Sequence, residues 1–162
     1  MTTPPETVAL ELENALNAAR LQVVQPGSRA SFRRRVMDAM RNVVPSTGTF
    51  FCFGKDDSRA YGDSSRIVDG ASHALGKTDG VKLTQAFGFE TKSVVETTRR
   101  VYVTMELYPD DERKKLPYFR DHSVPDDLAR AMIVFLHEGG VLFGVCGLER
   151  RADEPDFTME EA

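Results

Sequence analysis

The chain has 162 residues, of which 41% are hydrophobic, and its 25 acidic and 21 basic residues give a net charge of −4 at pH 7. This length allows one domain with a substantial core and is short for two ordinary domains. The acidic balance offers no basic face of the kind that binds nucleic acid, so we do not expect this segment to bind DNA by itself.

Cysteine usage and hydropathy indicate the compartment. Cys52 and Cys146 lie inside apolar, strand-like runs, where a free thiol behaves as a small hydrophobic side chain. No disulfide framework or CxxC pair is present, which favours a reducing cytosol. No stretch approaches the roughly 18 apolar residues of a membrane span, and the first six residues lack the features of a signal peptide. We therefore expect a soluble, cytoplasmic protein with no membrane partner.

Two amphipathic helices are predicted at the start of the chain. Apolar residues recur at three- and four-residue steps over about residues 6–24, and Pro26-Gly27 ends this pattern. A second helix is predicted over about residues 28–44 and is closed by Pro45. The aromatic run at about residues 48–54 predicts a short strand.

The middle of the chain, residues 55–107, carries weaker patterns. Its first part is rich in Gly, Ser and Asp and predicts loop with one strand near Arg66–Val68. The sequence pattern of residues 81–89 does not distinguish between helix, strand and loop. Thr91–Leu107 fits either a helix that leads into a strand or two short strands.

The clearest element is a β-hairpin over about residues 128–150. Two apolar runs, Leu128–Glu138 and Val141–Arg150, are joined by Gly139-Gly140, which tolerates the positive φ angles of a tight turn. Direct pairing across this turn predicts two apolar faces, one with Met132, Val134, Leu136, Phe143 and Val145 and the other with Ile133, Phe135, Gly144, Cys146 and Leu148.

A sheet with two apolar faces must be covered on both sides. The predicted fold class is therefore α+β, an antiparallel β-sheet with the N-terminal helices and the start of a C-terminal helix on one face and loops or short helices on the other. That last helix is expected to begin at residues 158–162, because Thr158 and Glu161 have the spacing of a capping box and Phe157 occupies the staple position. We expect this helix to continue in a longer protein.

No motif in the sequence predicts catalysis or metal binding. The string from Gly70 to Thr78 ends in Gly-Lys-Thr, but five residues separate its two glycines, whereas a phosphate-binding loop has four, and position 71 is Ala. His73, His122 and His137 have no metal-ligand spacing, and both cysteines lie in mid-strand, where a thiol is not activated. We therefore expect no enzyme activity, no metal and no cofactor.

Two parts of the chain resemble a known family. Leu116–Leu128, Glu138–Arg150 and Pro155–Glu161 are similar to the end of a GAF-like domain, in particular the N-terminal domain of bacterial LuxR-type transcriptional regulators. Phe32–Val44 and Thr49–Phe53 resemble the start of such a domain. The resemblance implies that the predicted antiparallel sheet is GAF/PAS-like. It also implies a regulatory input domain whose last helix leads to a DNA-binding helix-turn-helix module that this chain does not contain.

Two functional hypotheses follow. The first is a non-enzymatic sensory domain of a LuxR-type regulator that binds a small effector or partner, acts as a homodimer and contacts DNA only through the downstream module. The candidate cavity residues are Phe51, Phe53, Tyr102, Met105, Tyr118 and Phe135. The alternative is a ligand-free dimerisation module, because Leu10, Leu12, Leu16 and Leu21 make the first helix apolar over more than one stripe.

Overall fold

The computed structural model of the protein describes residues 5–53, 63–75 and 83–162. The chain divides into two compact units, Met1–Pro45 and Ser46–Ala162. Within the described residues, no helix combines the length and the apolar character that crossing a bilayer requires.

The first unit is a pair of helices, α1 (Pro5–Val23) and α2 (Arg29–Val43), which pack against each other. Their bounds lie within about two residues of those predicted from the sequence. Ser28 caps α2, since its side-chain oxygen accepts a hydrogen bond from the Ser31 amide at 3.2 Å.

The second unit is built on a six-stranded antiparallel sheet. Its spatial order is β3-β2-β1-β6-β5-β4, so the long hairpin lies next to β1 on one side and the short β4 on the other. The strands are β1 (Gly48–Phe53), β2 (Asp63–Val68), β3 (Ala71–Ala74), β4 (Val101–Val103), β5 (Leu128–Glu138) and β6 (Val141–Arg151). The α+β class with an antiparallel sheet is confirmed.

Short helical elements lie between the strands. The 3-10 turn Gln85–Phe87 and helix α3 (Thr91–Val95) precede β4. Helices α4 (Thr104–Leu107) and α5 (Asp110–Arg113), the π-helical turn Phe119–Ser123 and the 3-10 turn Val124–Asp126 follow it. Of the two alternatives for Thr91–Leu107, the helix leading into a strand is therefore the observed one.

The hairpin forms as predicted, but the faces predicted for β6 are wrong. Gly139 and Gly140 have φ angles of 57° and 77°, as a tight turn requires. The register then shifts, because His137 pairs with Leu142 whereas Leu136 pairs with Gly144. Phe143 is the extra residue of this bulge, and every later residue of β6 faces opposite to the prediction.

One face of the sheet carries the main core. Phe50, Ile133, Phe135 and Val145 are buried there against residues of the 83–126 segment. This agrees with the prediction that loops or short helices cover one face. Residues of the opposite face are also buried, namely Phe51, Ile67, Met132, Cys146 and Leu148.

Gly147 allows the closest packing in this core. A Cβ atom at this position would lie 2.6 Å from Cζ of Phe50 and 2.3 Å from the carbonyl oxygen of Met132. Only glycine therefore lets the Phe50 ring lie against the backbone of β6. This contact fixes the ring over the centre of the sheet.

Candidate functional site

An aromatic stack fills the space between the sheet and the segment of residues 83–126, which we call the cover segment. The ring centroids of Phe50 and Phe87 are 5.3 Å apart, and the Tyr118 ring lies 4.7 Å from Phe50 and 4.4 Å from Phe87. All three side chains are fully buried. The centre of this face is thus occupied by the protein's own rings.

A second aromatic group lies towards β4. The Phe135 ring centroid is 4.9 Å from that of Phe89 and 5.6 Å from that of Tyr102. The guanidinium of Arg99 lies over the Tyr102 ring at 4.7 Å from its centroid. Together the two aromatic groups join the cover segment, which includes β4, to strands β1 and β5.

A buried polar cluster lies beside the aromatic stack and is centred on Glu149 of β6. Glu149 is fully buried, with the small residues Gly48 and Ala131 opposite it on the neighbouring strands. The hydroxyl of Tyr118 donates a hydrogen bond to Oε2 at 3.2 Å, and the hydroxyl of Ser123 donates to Oε1. Both donors belong to the cover segment.

Arg66 of β2 completes this polar cluster. Its Nη1 donates to the carbonyl oxygen of His122 at 2.7 Å, and its Nη2 lies 2.9 Å from Oδ2 of Asp126. The same Nη2 lies 3.9 Å from Oε2 of Glu149. Arg66 is itself buried, so one guanidinium joins the sheet to two parts of the cover segment.

Burial dominates the electrostatics of the cluster. Loss of hydration raises the pKa of Glu149, although the charge of Arg66 and the hydrogen bonds from Ser123 and Tyr118 act in the opposite direction. The pKa of His122 is lowered, first by burial and then by the charge of Arg66. Burial therefore makes the charged form of both groups less favourable than it is in water.

A second polar arrangement follows β6 and is centred on Arg150. Its guanidinium lies 2.7 Å from Oε1 and 3.3 Å from Oε2 of Glu161, and 4.1 Å from the centroid of the Phe157 ring. Thr158 and Glu161 exchange the two hydrogen bonds of a capping box, at 2.8 and 3.3 Å. The capping contacts predicted from the sequence are thus formed, within a single turn.

The six candidate cavity residues do not meet at one place. Tyr118 and Phe135 are buried in the core, and Tyr102 packs at its edge on the same side of the sheet. Phe51 is buried on the opposite face, since it pairs with Cys146. Met105 is 38% exposed on α4, and the side chain of Phe53 lies outside the described part.

The polar residues of the cluster were not predicted from the sequence. The sequence did contain a signal for Glu149, because a charged residue near the end of an apolar strand is unusual. Arg66 and Ser123 carried none, since their role depends on contacts with residues far along the chain.

The remaining motifs give no second site. The thiols of Cys52 and Cys146 are buried and free, and burial raises the pKa of Cys146 to about 12 and that of Cys52 further still. His73 lies on the exposed strand β3. Of the string from Gly70 to Thr78, residues 76–78 lie outside the described residues.

The fold is similar to solved GAF-type structures. The GAF domain of a phosphoenolpyruvate-protein phosphotransferase from Coxiella burnetii matches with a TM-score of 0.58 at 15% identity, over 94% of this chain and 84% of that one. The chromophore-binding domain of a bacteriophytochrome from R. palustris matches with a TM-score of 0.55 at 13% identity, over 99% of this chain. That of Stigmatella aurantiaca matches with a TM-score of 0.58 at 10% identity, over 94% of this chain.

These similarities establish a GAF-like fold and nothing finer, because the identities are low. The chain spans 57% and 55% of the two bacteriophytochrome chains that it matches. No protein-family model and no curated protein matches the sequence.

Proposed function

We propose that this chain is the non-enzymatic sensory input domain of a LuxR-type transcriptional regulator in the cytoplasm. It responds to a small effector or a protein partner and relays the response to a downstream DNA-binding module. The observation that carries the proposal is the cover segment of a GAF-like fold, which is fastened to the sheet through the buried contacts of Glu149 and Arg66. Because the donors to Glu149 and the partners of Arg66 lie on this segment, an effector that binds a second arrangement of the segment more tightly would shift the protein to that arrangement.

The LuxR-type assignment is supported by the sequence after the hairpin. The segment Pro155–Glu161 resembles the start of the helix that follows such domains, and its capping box is formed. Glu161 is also fastened to Arg150 at the end of β6. A helix that starts here is attached to the sheet from its first turn.

An effector that binds on the core face must displace aromatic rings. Phe87 and Tyr118 belong to the cover segment and lie on Phe50 of the sheet. Movement of the cover segment would withdraw both rings and open space above β1 and β6. We therefore expect effector binding to move this segment instead of filling a preformed cavity.

The bacteriophytochrome fragments are chromophore-binding domains, whereas the two cysteines of this chain are unsuited to covalent attachment of a chromophore. Cys52 and Cys146 are fully buried, and burial raises the pKa of both thiols. A buried neutral thiol is a poor nucleophile for covalent attachment.

The proposal is tested with the complete gene product. We expect the coding sequence beyond residue 162 to continue the helix and to encode a helix-turn-helix module of about 65 residues. The complete protein should then bind DNA from its own promoter region in fluorescence anisotropy, whereas the 162-residue chain should not. A kinase or cyclase module in place of the helix-turn-helix would overturn the LuxR-type assignment.

The role of Phe135 is tested separately by calorimetry with Phe135→Ala. Phe135 is fully buried among other rings, so its truncation should lower the free energy of unfolding by about 3–5 kcal/mol. The control is Phe143→Ala, because Phe143 is 48% exposed and its truncation should cost far less. If Phe135 instead lines an effector site, stability will change little and effector binding will weaken.

A ligand-free dimerisation module is the second candidate. The filled core face favours it, as do three apolar side chains of the first unit, Leu10, Leu21 and Val24, which are 58%, 67% and 72% exposed. This candidate predicts a melting temperature that rises with protein concentration and does not respond to small molecules. Leu21→Gln should then shift the sedimentation profile towards monomer, while Gln25→Ala should not.

A further inference from the structure

Two consecutive residues of β6 organise polar contacts on opposite sides of the sheet. Successive side chains of a strand point to opposite faces, so Glu149 and Arg150 point away from each other. Glu149 faces the cover segment, and Arg150 faces the chain that follows β6. One peptide unit therefore joins the two polar arrangements.

On the first side, the cover segment supplies the donors to Glu149. Tyr118 and Ser123 both hydrogen-bond to its carboxylate, which is fully buried. A buried carboxylate that loses its donors is strongly disfavoured. If the cover segment moves, the Glu149 side chain must follow it or acquire new partners.

On the second side, Arg150 holds the turn after β6 through several contacts. It is 6% exposed, forms a two-pronged pair with Glu161 and stacks on Phe157. It also donates to the carbonyl oxygens of Pro155 and Asp156, at 3.3 and 3.1 Å. A rotation of β6 about its own axis at this point would change all of these contacts together.

We propose that Glu149 and Arg150 act as a relay that couples the position of the cover segment to the turn at residues 155–161. This inference rests on the proposed function and specifies how that function is regulated. The contacts of Ser123 and Tyr118 set the orientation of β6 at Glu149, and that orientation sets whether Arg150 retains Glu161 and Phe157. The relay requires no direct contact between the cover segment and the turn.

A double-mutant cycle on the 162-residue chain tests the relay. Ser123→Ala removes one donor to Glu149, and Glu161→Gln weakens the pair with Arg150. Unfolding equilibrium constants of the single and double variants are measured by urea denaturation. We expect the effect of the double variant to depart from the product of the single effects by more than about threefold, since separate and unlinked sites are nearly additive.

The matched control pairs Ser123→Ala with Glu106→Gln. Glu106 forms an ion pair with Arg99 near β4, outside the contacts of Glu149 and Arg150. For this control, the effect of the double variant on the unfolding equilibrium constant should equal the product of the single effects to within about twofold. A departure below about threefold for Ser123→Ala with Glu161→Gln overturns the relay.

A second readout follows the turn directly. Ser123→Ala should shift the NMR resonances of the Thr158 and Glu161 amides, which donate the capping-box hydrogen bonds. Unchanged resonances of both amides would also overturn the relay, even if the complete protein binds DNA. Coupling in this chain combined with a gene product that lacks a DNA-binding module overturns the proposed function alone.

Discussion

Two carboxyl groups next to the end of β6 lie in opposite electrostatic environments. Burial raises the pKa of Glu149 despite the nearby Arg66, whereas the hydrogen bond and charge of Arg150 lower the pKa of Glu161. The side chain of Glu149 is 1% exposed and that of Glu161 is 28% exposed. In both places the arginine acts to lower the pKa of the carboxyl group, and at Glu149 the loss of hydration outweighs this effect.

The difference in burial also predicts that the contacts around Glu149 are harder to break than those around Glu161. Contacts around Glu149 are dry, so each lost partner leaves a buried polar group without compensation. Contacts around Glu161 are partly wet, so water replaces what is lost. We therefore expect the cover segment to be firmly held and the turn after β6 to change its contacts at small cost.

The largest effect is expected for Arg66→Met. This change removes the buried cation next to Glu149 and also the contacts with His122 and Asp126. Breaking a buried pair from one side should lower the free energy of unfolding by about 3–5 kcal/mol, measured by urea denaturation at pH 7. The control is Arg66→Met combined with Glu149→Met, which should recover much of the loss. A cost below about 1 kcal/mol for the single variant would mean that Glu149 does not depend on Arg66.

The pH dependence of stability should have opposite signs at the two carboxyl groups. The folded pKa of Glu149 is raised, so its contribution is complete below its ordinary pKa near 4.5 and is lost as pH rises through the folded value. The folded pKa of Glu161 is lowered, so its contribution is present above 4.5 and is lost as pH falls through the folded value.

Urea denaturation of wild type, Glu149→Gln and Glu161→Gln between about pH 3 and pH 8 tests these signs. Relative to Glu149→Gln, wild type should lose stability as pH rises above 4.5. Relative to Glu161→Gln, it should lose stability as pH falls below 4.5. His122 titrates in all three proteins, so its effect largely cancels in the differences. If the stability difference between wild type and variant changes with pH in the same direction for both variants, the opposite signs predicted for Glu149 and Glu161 are wrong.

Local signals account for the parts of the fold that were predicted well. Gly139-Gly140 fixed the hairpin turn, and the spacing of Thr158 and Glu161 predicted the capping contacts. A further local signal was missed, because Asp69-Gly70 between Val68 and Ala71 is a strong hairpin turn and predicts β3. Both residues have positive φ angles, 50° and 81°.

The rest depended on contacts that a sequence pattern does not contain. The bulge at Phe143 reversed the faces of β6 and brought Val145 next to Phe135. A residue count across the turn cannot predict such a bulge. The Glu149 cluster likewise joins Arg66 of β2 to Ser123 of the cover segment, so it exists only once the sheet order and the path of the cover segment are known.

A smaller effect is expected for Arg150→Met. The variant loses the two-pronged pair with Glu161 and the stacking on Phe157, but Glu161 remains hydrated. We expect a loss of about 1–2 kcal/mol in urea denaturation. Arg151→Met is the matched control, because its pair with Asp69 is exposed and its removal should cost less. A loss for Arg150→Met as large as that for Arg66→Met would remove the distinction between the two sides of β6.

The smallest effect is expected for Thr158→Ala. The variant loses the side-chain oxygen that accepts a hydrogen bond from the Glu161 amide, at an exposed position. Loss of a capping residue should cost about 0.5–1 kcal/mol, and Thr158→Ser should retain most of it because the hydroxyl is kept. Faster hydrogen exchange at the Glu161 amide should accompany the loss. If Thr158→Ala instead costs as much as Arg66→Met, the turn after β6 belongs to the firmly held part of the molecule. A turn held that firmly could not change its contacts at small free-energy cost. The relay from the cover segment to the turn requires the contacts of the turn to be weaker than those around Glu149, and this difference would then be absent.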